Sequence, residues 1–295
     1  MRPWLPLCRP WSRIRCAAPS WGRSPAAWCA PASRSRPWRH RTRISTIPFA
    51  RRGGTGEDMT RLDNTSYYDR FAHGYEDERH KRYPRFLDES ELAAAAPYCT
   101  GRRVLEVGCG TGLVLEPLSR MASKAVGIDI SPGMLARAKE RGLEVHEACA
   151  TALPFPDASF DCVVSFKVLA HVEAIQAALA ECSRVLAPGG HLVLEFYNRH
   201  SLRHFVKIVK PAQKIAAATT DDHVYTRFDT LADIRGYLPG TVRIVETVGI
   251  RCLAPTYHLF NLPVVGKLTD RIERMVQRTP IGRFGGFLIV VARKD

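Results

Sequence analysis

The sequence predicts an α/β domain, a mostly parallel sheet covered by helices on both faces. Short and almost wholly apolar segments alternate with stretches of helical period from residue 103 onward, and strands buried on both faces read as such continuous runs. A glycine-rich turn, Gly108-Cys-Gly-Thr-Gly112, joins the first of these strands to the helix behind it. Composition agrees: 45% apolar and 24% charged residues in a chain of 295 exclude a fibrous or wholly disordered protein.

Residues 60–98 read as helical. Thr65-Ser66 can cap a start, and Tyr68, Phe71, Ala72 and Tyr75 recur at three- and four-residue spacing. A second helix through Phe86–Ala96 is expected to end at Pro97. Arg103–Val107 is the first strand, and Leu113, Leu115 and Leu118 continue a helix behind the glycine turn. Ala125–Asp129 is the second strand; Ser131-Pro132 then caps a helix over 132–141 that stops at Gly142. Strand Leu143–His146 precedes the loop Leu153–Asp157, and Phe160–Ser165 is the fourth strand. A helix with Ile175, Leu179, Cys182 and Leu186 on one face is closed by Pro188-Gly189-Gly190, and His191–Phe196 is the fifth strand. Segments 241–250 and 285–292 supply the last two of seven strands, with inserts at 199–240 and 254–283 between. Residues 59–295 thus read as one domain.

The net charge of +14 suggests a nucleic-acid binder until it is located. Residues 1–56 hold twelve Arg and no Lys, Asp or Glu, so they carry +12 and the remainder +2. This leader also has eight Pro and all five Trp, a pattern that forbids a long helix and predicts a disordered extension over 1–58. Three readings stay open: a start upstream of the true one at Met59, a targeting segment that implies mitochondria, or a functional basic tail. Without a genuine transit peptide, a cytoplasmic location is expected. The nine Cys are odd in number and none forms a CxxC pair, which fits small buried hydrophobes in a reducing compartment.

The richest signal is Glu106-Val-Gly108-Cys-Gly110-Thr-Gly112. Glycines at a strand-to-helix turn let the backbone approach a ligand. Asp129, nineteen residues past Gly110, ends the second strand, where a carboxylate can accept both hydroxyls of a ribose. A dinucleotide site would need a third glycine at Leu113, and a phosphate loop would need Gly-Lys-Ser/Thr; neither is present. A phosphate-free nucleoside is favoured.

These residues resemble the class I S-adenosylmethionine-dependent methyltransferases, in the small-molecule branch that includes quinone-biosynthesis enzymes. The resemblance covers about 67–200 and rests on VLEVGCGTG at 104–112, GIDIS at 127–131, ALPFPDASFD at 152–161 and RVLAPGGHLVL at 184–194. It implies a Rossmann-like, doubly wound, mostly parallel seven-stranded sheet and S-adenosyl-L-methionine as cofactor. Glu106 and the loop through Gly108, Gly110 and Gly112 would line the methionine and ribose end. Asp129 would hold the ribose diol and Ile130 would pack on adenine. The adenine-amino position, usually Asp, is Cys149 here, so the backbone of Ala150 would serve instead. Ser165 and Phe166 would close over the sulfonium, and residues 67–80 would cap the cofactor.

His171, at the mouth of the fourth strand, is the candidate base, with a structural helix-capping role as the alternative. Glu195, Tyr197, Asn198, His200 and His204 are candidate acceptor contacts, and His223 beside Asp221-Asp222 lacks a third metal ligand, so no metal is expected. Over 263–278, Val264, Leu268, Ile272, Met275 and Val276 form an apolar stripe beside Lys267, Arg271, Arg274 and Arg278. That helix is either a lid over an apolar acceptor or a peripheral membrane face, or else it packs on the domain with its charges outward. The stripe favours a small, apolar or lipid-like acceptor. Nucleic acid is not expected, since the place of an Asp/Asn-Pro-Pro-aromatic motif reads Ser165-Phe166-Lys167-Val168. The alternatives are a catalytically silent cofactor-binding module and an RNA methyltransferase.

Overall fold

The computed structural model describes residues 76, 79–209, 214–216, 219–220, 225–254 and 256–295. The chain divides into the units Met1–Thr60 and Arg61–Asp295, and all described residues belong to the second. The expectations for the leader, for the Thr65-Ser66 cap and for most of the cap segment 67–80 lie outside the described residues; Glu76, Arg79 and His80 from that segment are in turns.

In chain order the elements are α1 (Arg82–Cys99), β1 (Arg103–Val107), α2 (Leu115–Met121), β2 (Lys124–Asp129), α3 (Pro132–Glu140), β3 (Val145–Glu147), β4 (Phe160–Ser165) and α4 (Ile175–Val185). There follow β5 (Leu186–Tyr197), α5 (Leu202–Val209), the short pair β6 (Lys214–Ala216) and β7 (Thr219–Thr220), α6 (Leu231–Tyr237), β8 (Val242–Ile250), α7 (His258–Asn261), α8 (Pro263–Val276) and β9 (Phe287–Lys294). The main sheet has seven strands in the order β3-β2-β1-β4-β5-β9-β8. β1 to β5 pair in parallel, and β9 runs antiparallel to both β5 and β8. The expected fold is therefore present: a doubly wound, mostly parallel sheet. Strand order reverses between β1 and β4, which opens a crevice at their carboxyl ends.

Strand alternation sorts the core into two faces. Leu105, Val163 and Leu192 pack with α4 and α6 residues such as Leu179 and Ile234, whereas Val104, Val164 and Val193 pack beneath α1 with Phe86. Helix starts follow local chemistry. The Ser131 hydroxyl accepts the Met134 amide 3.2 Å away, with Pro132 at the first helical position. Thr230 and Asp233 form a reciprocal capping box at α6.

Three expectations change. α1 runs through Pro97 to Cys99, because Pro97 lies on the exposed side of the last turn, where its missing amide removes one rung of the hydrogen-bond ladder. α4 ends at Val185, ahead of Pro188-Gly189-Gly190, and these three lie inside β5. Leu186 pairs with Phe160 and His191 with Cys162, so the glycines absorb a bulge, with Gly189 at φ +75°. The apolar stripe of α8 meets the domain only at half-buried Val276: Val264, Leu268, Ile272 and Met275 are exposed, while Gly266 and Glu273 are the buried residues of the helix. Among the described residues, no helix is long and apolar enough to cross a membrane.

Candidate functional site

The crevice is built around the glycine turn. The amides of Gly108 and Cys109 both donate to the Ile128 carbonyl, at 2.8 and 2.9 Å, fastening the turn to the end of β2. Asp129 then reaches back: Oδ2 accepts the Gly110 amide at 2.9 Å and Oδ1 accepts the Ser131 amide at 3.0 Å. The two strand ends are locked by one carboxylate, whose oxygens can each accept more than one hydrogen bond.

The glycines differ in what surrounds them. Gly108, at φ +78°, is closed off, since a Cβ there would lie 2.2 Å from Val168 Cγ2. Gly110, at φ +52°, faces open space, with nothing within 4 Å of the same atom. A Cβ at Gly112 would lie 2.4 Å from Leu143 Cδ1. Arg141 braces the turn from outside, with Nε donating to the Thr111 carbonyl at 3.0 Å and the guanidinium pairing Glu116 and Glu76 at 3.1 and 2.7 Å. Glu76 is the described residue of the expected cap segment that this brings beside the turn.

Three glutamates stand on the α1 side of the sheet: Glu91 from α1, Glu106 from β1 and Glu195 from β5. Glu106 and Glu195 are 3% and 1% exposed; Glu106 Oε2 has no hydrogen-bond partner among the described residues, and the Glu195 carboxyl lies within hydrogen-bonding reach of Glu91. Lys167, just past β4 at φ +59°, places Nζ 2.9 Å from Glu91 Oε2 and 3.0 Å from Asp88 Oδ1. A lysine held in the left-handed region is the kind of strain that collects at functional sites. Burial, then the charge of Glu91, pushes the Glu106 and Glu195 carboxyls well above the usual carboxylate range. Glu91 is raised as well, by burial, against the opposing pull of Lys167. A buried acid cluster with one lysine among it does not ionise fully at neutral pH.

His171 lies in a 3₁₀ turn, Leu169–His171. Its Nδ1 is 2.8 Å from the Tyr225 carbonyl, an acceptor, so this nitrogen donates and the neutral ring keeps its lone pair on Nε2. Arg227 clamps that turn through the Leu169 and Val172 carbonyls at 3.0 and 2.8 Å, and is itself paired with buried Asp229 at 2.8 Å. The His171 ring stands edge-on to Tyr197, 5.6 Å between centroids. Arg203 lies 4.5 Å over the Tyr197 ring, and burial pushes the Tyr197 hydroxyl up to about 12.

The remaining expected site residues divide. Ile130 follows Asp129 half-buried, and Ala150 is buried beside half-buried Cys149, whose sulfur is 3.1 Å from Thr151 Oγ1. The Ser165 hydroxyl donates to the Val107 carbonyl at 2.8 Å, and Phe166 packs in the core beneath α1. Asn198 is likewise spent on structure, its amide donating to the Arg283 and Gly285 carbonyls at 2.8 and 2.9 Å. His200 is exposed and His204 stacks against Phe228. His223 and its neighbouring aspartates lie outside the described residues. No group of three His, Cys, Asp or Glu has metal-holding geometry among the described residues. Sequence reasoning missed Glu91, Lys167 and Arg227; a lysine inside the apolar run Val163–Leu169 was the one visible signal.

Residues 105–194 match the family model described as a methyltransferase domain. The chain is similar to the ubiquinone biosynthesis O-methyltransferase of Bradyrhizobium sp. strain ORS 278, with 33% identity over 144 residues, 47% of this chain and 57% of that one. A protein of the same name from Maricaulis maris is 32% identical over 129 residues, 41% of this chain and 50% of its own. The chain thus spans about half the length of the curated relatives it matches. In fold it is similar to the CcbJ methyltransferase from Streptomyces caelestis, with TM-score 0.57 and 16% identity over 79% of this chain and 99% of that one. It is also similar to an S-adenosylmethionine-dependent methyltransferase from Thermotoga maritima, with TM-score 0.56 and 23% identity over 78% and 99%.

Proposed function

We propose that this chain, whose residues 105–194 form a class I S-adenosylmethionine-dependent methyltransferase domain, transfers a methyl group to a small acceptor with an apolar body. The observation that carries the reading is the joint between Gly110 and Asp129, an open backbone turn bound at 2.9 Å to a carboxylate at the neighbouring strand end. It suits a nucleoside approached through its sugar. Glu106 Oε2, without a hydrogen-bond partner among the described residues, can accept from an ammonium group, whose positive charge would favour the ionised carboxylate, so the residues present fit the cofactor. S-adenosylmethionine, when bound, supplies an electrophilic methyl on a sulfonium.

The chain's own residues bind, orient and accept a proton. Asp129 holds the ribose hydroxyls, with Gly110 giving backbone access and Gly108 and Gly112 letting the turn pack against Val168 and Leu143. Ile130 packs against the adenine ring, and Cys149 and Ala150 offer the edge of the loop after β3 to its amino group. His171 Nε2 takes the acceptor's proton, with Arg227 keeping the turn in place. Alignment of nucleophile and methyl accounts for most of the acceleration such a displacement needs. The similarity to enzymes named O-methyltransferases favours a hydroxyl acceptor.

The test is calorimetric titration of the full chain with S-adenosylmethionine and its demethylated product, beside Asp129→Ala. Binding weakened at least about tenfold in the variant is expected, since a hydrogen-bonded hydroxyl pair is lost. No binding to the intact chain, or an unchanged titration in the variant, refutes the cofactor site. Labelled methyl incorporation into fractionated small molecules separates an enzyme from a silent cofactor-binding module.

A further inference from the structure

Helix α8 is built inside out. A surface helix normally turns its apolar stripe to the core and its charges to water. Here the buried residues of the helix make polar or backbone contacts, and Arg274 lies 5.3 Å over the Phe86 ring. Glu273 accepts the amides of Cys252, Leu253 and Ala254 at 2.6, 2.9 and 2.7 Å. Gln277 donates to Ser90 Oγ at 3.0 Å, and Gly266 lies so close to the Phe260 carbonyl that a Cβ would sit 2.2 Å from its oxygen.

The opposite face is apolar and outward. Val264, Leu268 and Met275 are 79%, 58% and 69% exposed, at three- and four-residue spacing that Ile272 completes. Beyond the helix, Ile281 and Phe284 are exposed apolar side chains as well. Charge is distributed one-sidedly. Lys267 and Arg271 flank the stripe, exposed and in no ion pair among the described residues. The acids of the helix are engaged elsewhere, Asp270 with Arg274 at 2.7 Å and Glu273 with the backbone amides.

The geometry points to α8 as a docking face for an anionic lipid surface, lying in the interface plane with its stripe among the acyl chains and Lys267 and Arg271 at the headgroups. That combination of outward apolar ridge and bordering cations is what an interfacial helix needs. A second copy of the chain fits less well. Fourteen residues make a helix about 21 Å long, whose stripe about 10 Å wide covers about 200 Å², a quarter of the roughly 800 Å² per partner of a stable interface. Pairing two such stripes would also oppose like charges. The inference stands apart from the methyl-transfer reading, because it concerns no cofactor contact.

The test uses the full chain, vesicles of phosphatidylcholine with or without about one-third phosphatidylglycerol, and two readouts. Flotation should show binding to the anionic vesicles, lowered about tenfold by Leu268→Asp with Met275→Asp and also weakened by Lys267→Glu with Arg271→Glu. Amide exchange on the wild-type chain should show protection over 262–284 when anionic vesicles are added, a local signal that the basic leader cannot produce. Unchanged exchange over 262–284 overturns the proposal, as does flotation indifferent to the aspartate pair. A dimer in sedimentation velocity that the aspartate pair dissolves overturns it in favour of self-association. The aspartate variants replace exposed side chains, so their melting curves should match the wild type.

Discussion

Alanine at Gly108 and alanine at Gly110 should fail in different ways. Both positions have φ in the left-handed region, +78° and +52°, so each alanine carries a backbone cost of about 1–2 kcal/mol. At Gly108 the new methyl would also meet three Val168 atoms at 2.2, 2.8 and 2.9 Å. Relieving that overlap inside a packed wall adds about 1–3 kcal/mol. At Gly110 no atom lies within 4 Å, so no such addition arises. The Gly108→Ala protein should therefore be less stable than Gly110→Ala by about 1–3 kcal/mol, about 2–12 °C in Tm for a domain of this size. Binding should divide the other way. The Gly110 methyl projects into the space assigned to the nucleoside and should weaken S-adenosylmethionine binding about tenfold or more, whereas folded Gly108→Ala should lose less. Differential scanning fluorimetry and calorimetric titration on the two variants decide it. A Gly110→Ala protein that melts below Gly108→Ala, or binds the cofactor as tightly as the wild type, refutes the division of labour.

Glu273→Ala should cost about 3 kcal/mol in urea unfolding, because three amides at 2.6–2.9 Å, those of Cys252 and Ala254 buried, lose their acceptor; a loss below about 1 kcal/mol would show that water replaces the carboxylate. Glu195 gives a pH signature. Its folded-state pKa is raised by burial and by Glu91, so its contribution to stability is complete below the ordinary carboxylate range and is lost as pH rises toward the raised value. Glu195→Gln should match the wild type near pH 4.5 and exceed it by about 1 kcal/mol or more at pH 8, and melts across that range showing a pH-independent difference would refute the assignment. His171→Ala should lower turnover about a hundredfold while cofactor affinity stays within about twofold, measured by labelled methyl transfer; full turnover would leave His171 a structural residue.

The features legible in the sequence are those set within a few residues. Apolar runs of strand length located β1, β2, β4 and β5, and Ser131-Pro132 marked the start of α3 through its own side chain and ring. The glycine turn with Asp129 was legible because its geometry needs φ > 0 at one end and a carboxylate at a strand end. Pro188-Gly189-Gly190 misled because local punctuation was weighed without the neighbours that make a bulge acceptable, Phe160 and Cys162 on β4, and Pro97 because its place in the last helical turn was not weighed. Ser165 and Phe166 occupy the expected strand end, yet the direction of their side chains depends on β1 and α1.

From the order of its residues alone, this chain specifies an alternating α/β succession and the turn that leaves the first strand, because backbone conformation, capping and apolar period are short-range properties. Three further features arise only when distant segments pack: the insertion of β9 between β5 and β8, the meeting of Glu91, Glu106 and Glu195 beside Lys167, and the outward stripe of α8. Which face of a helix is buried, and which carboxyls share one dry space, depend on contacts between segments far apart in the chain, and no local pattern encodes them.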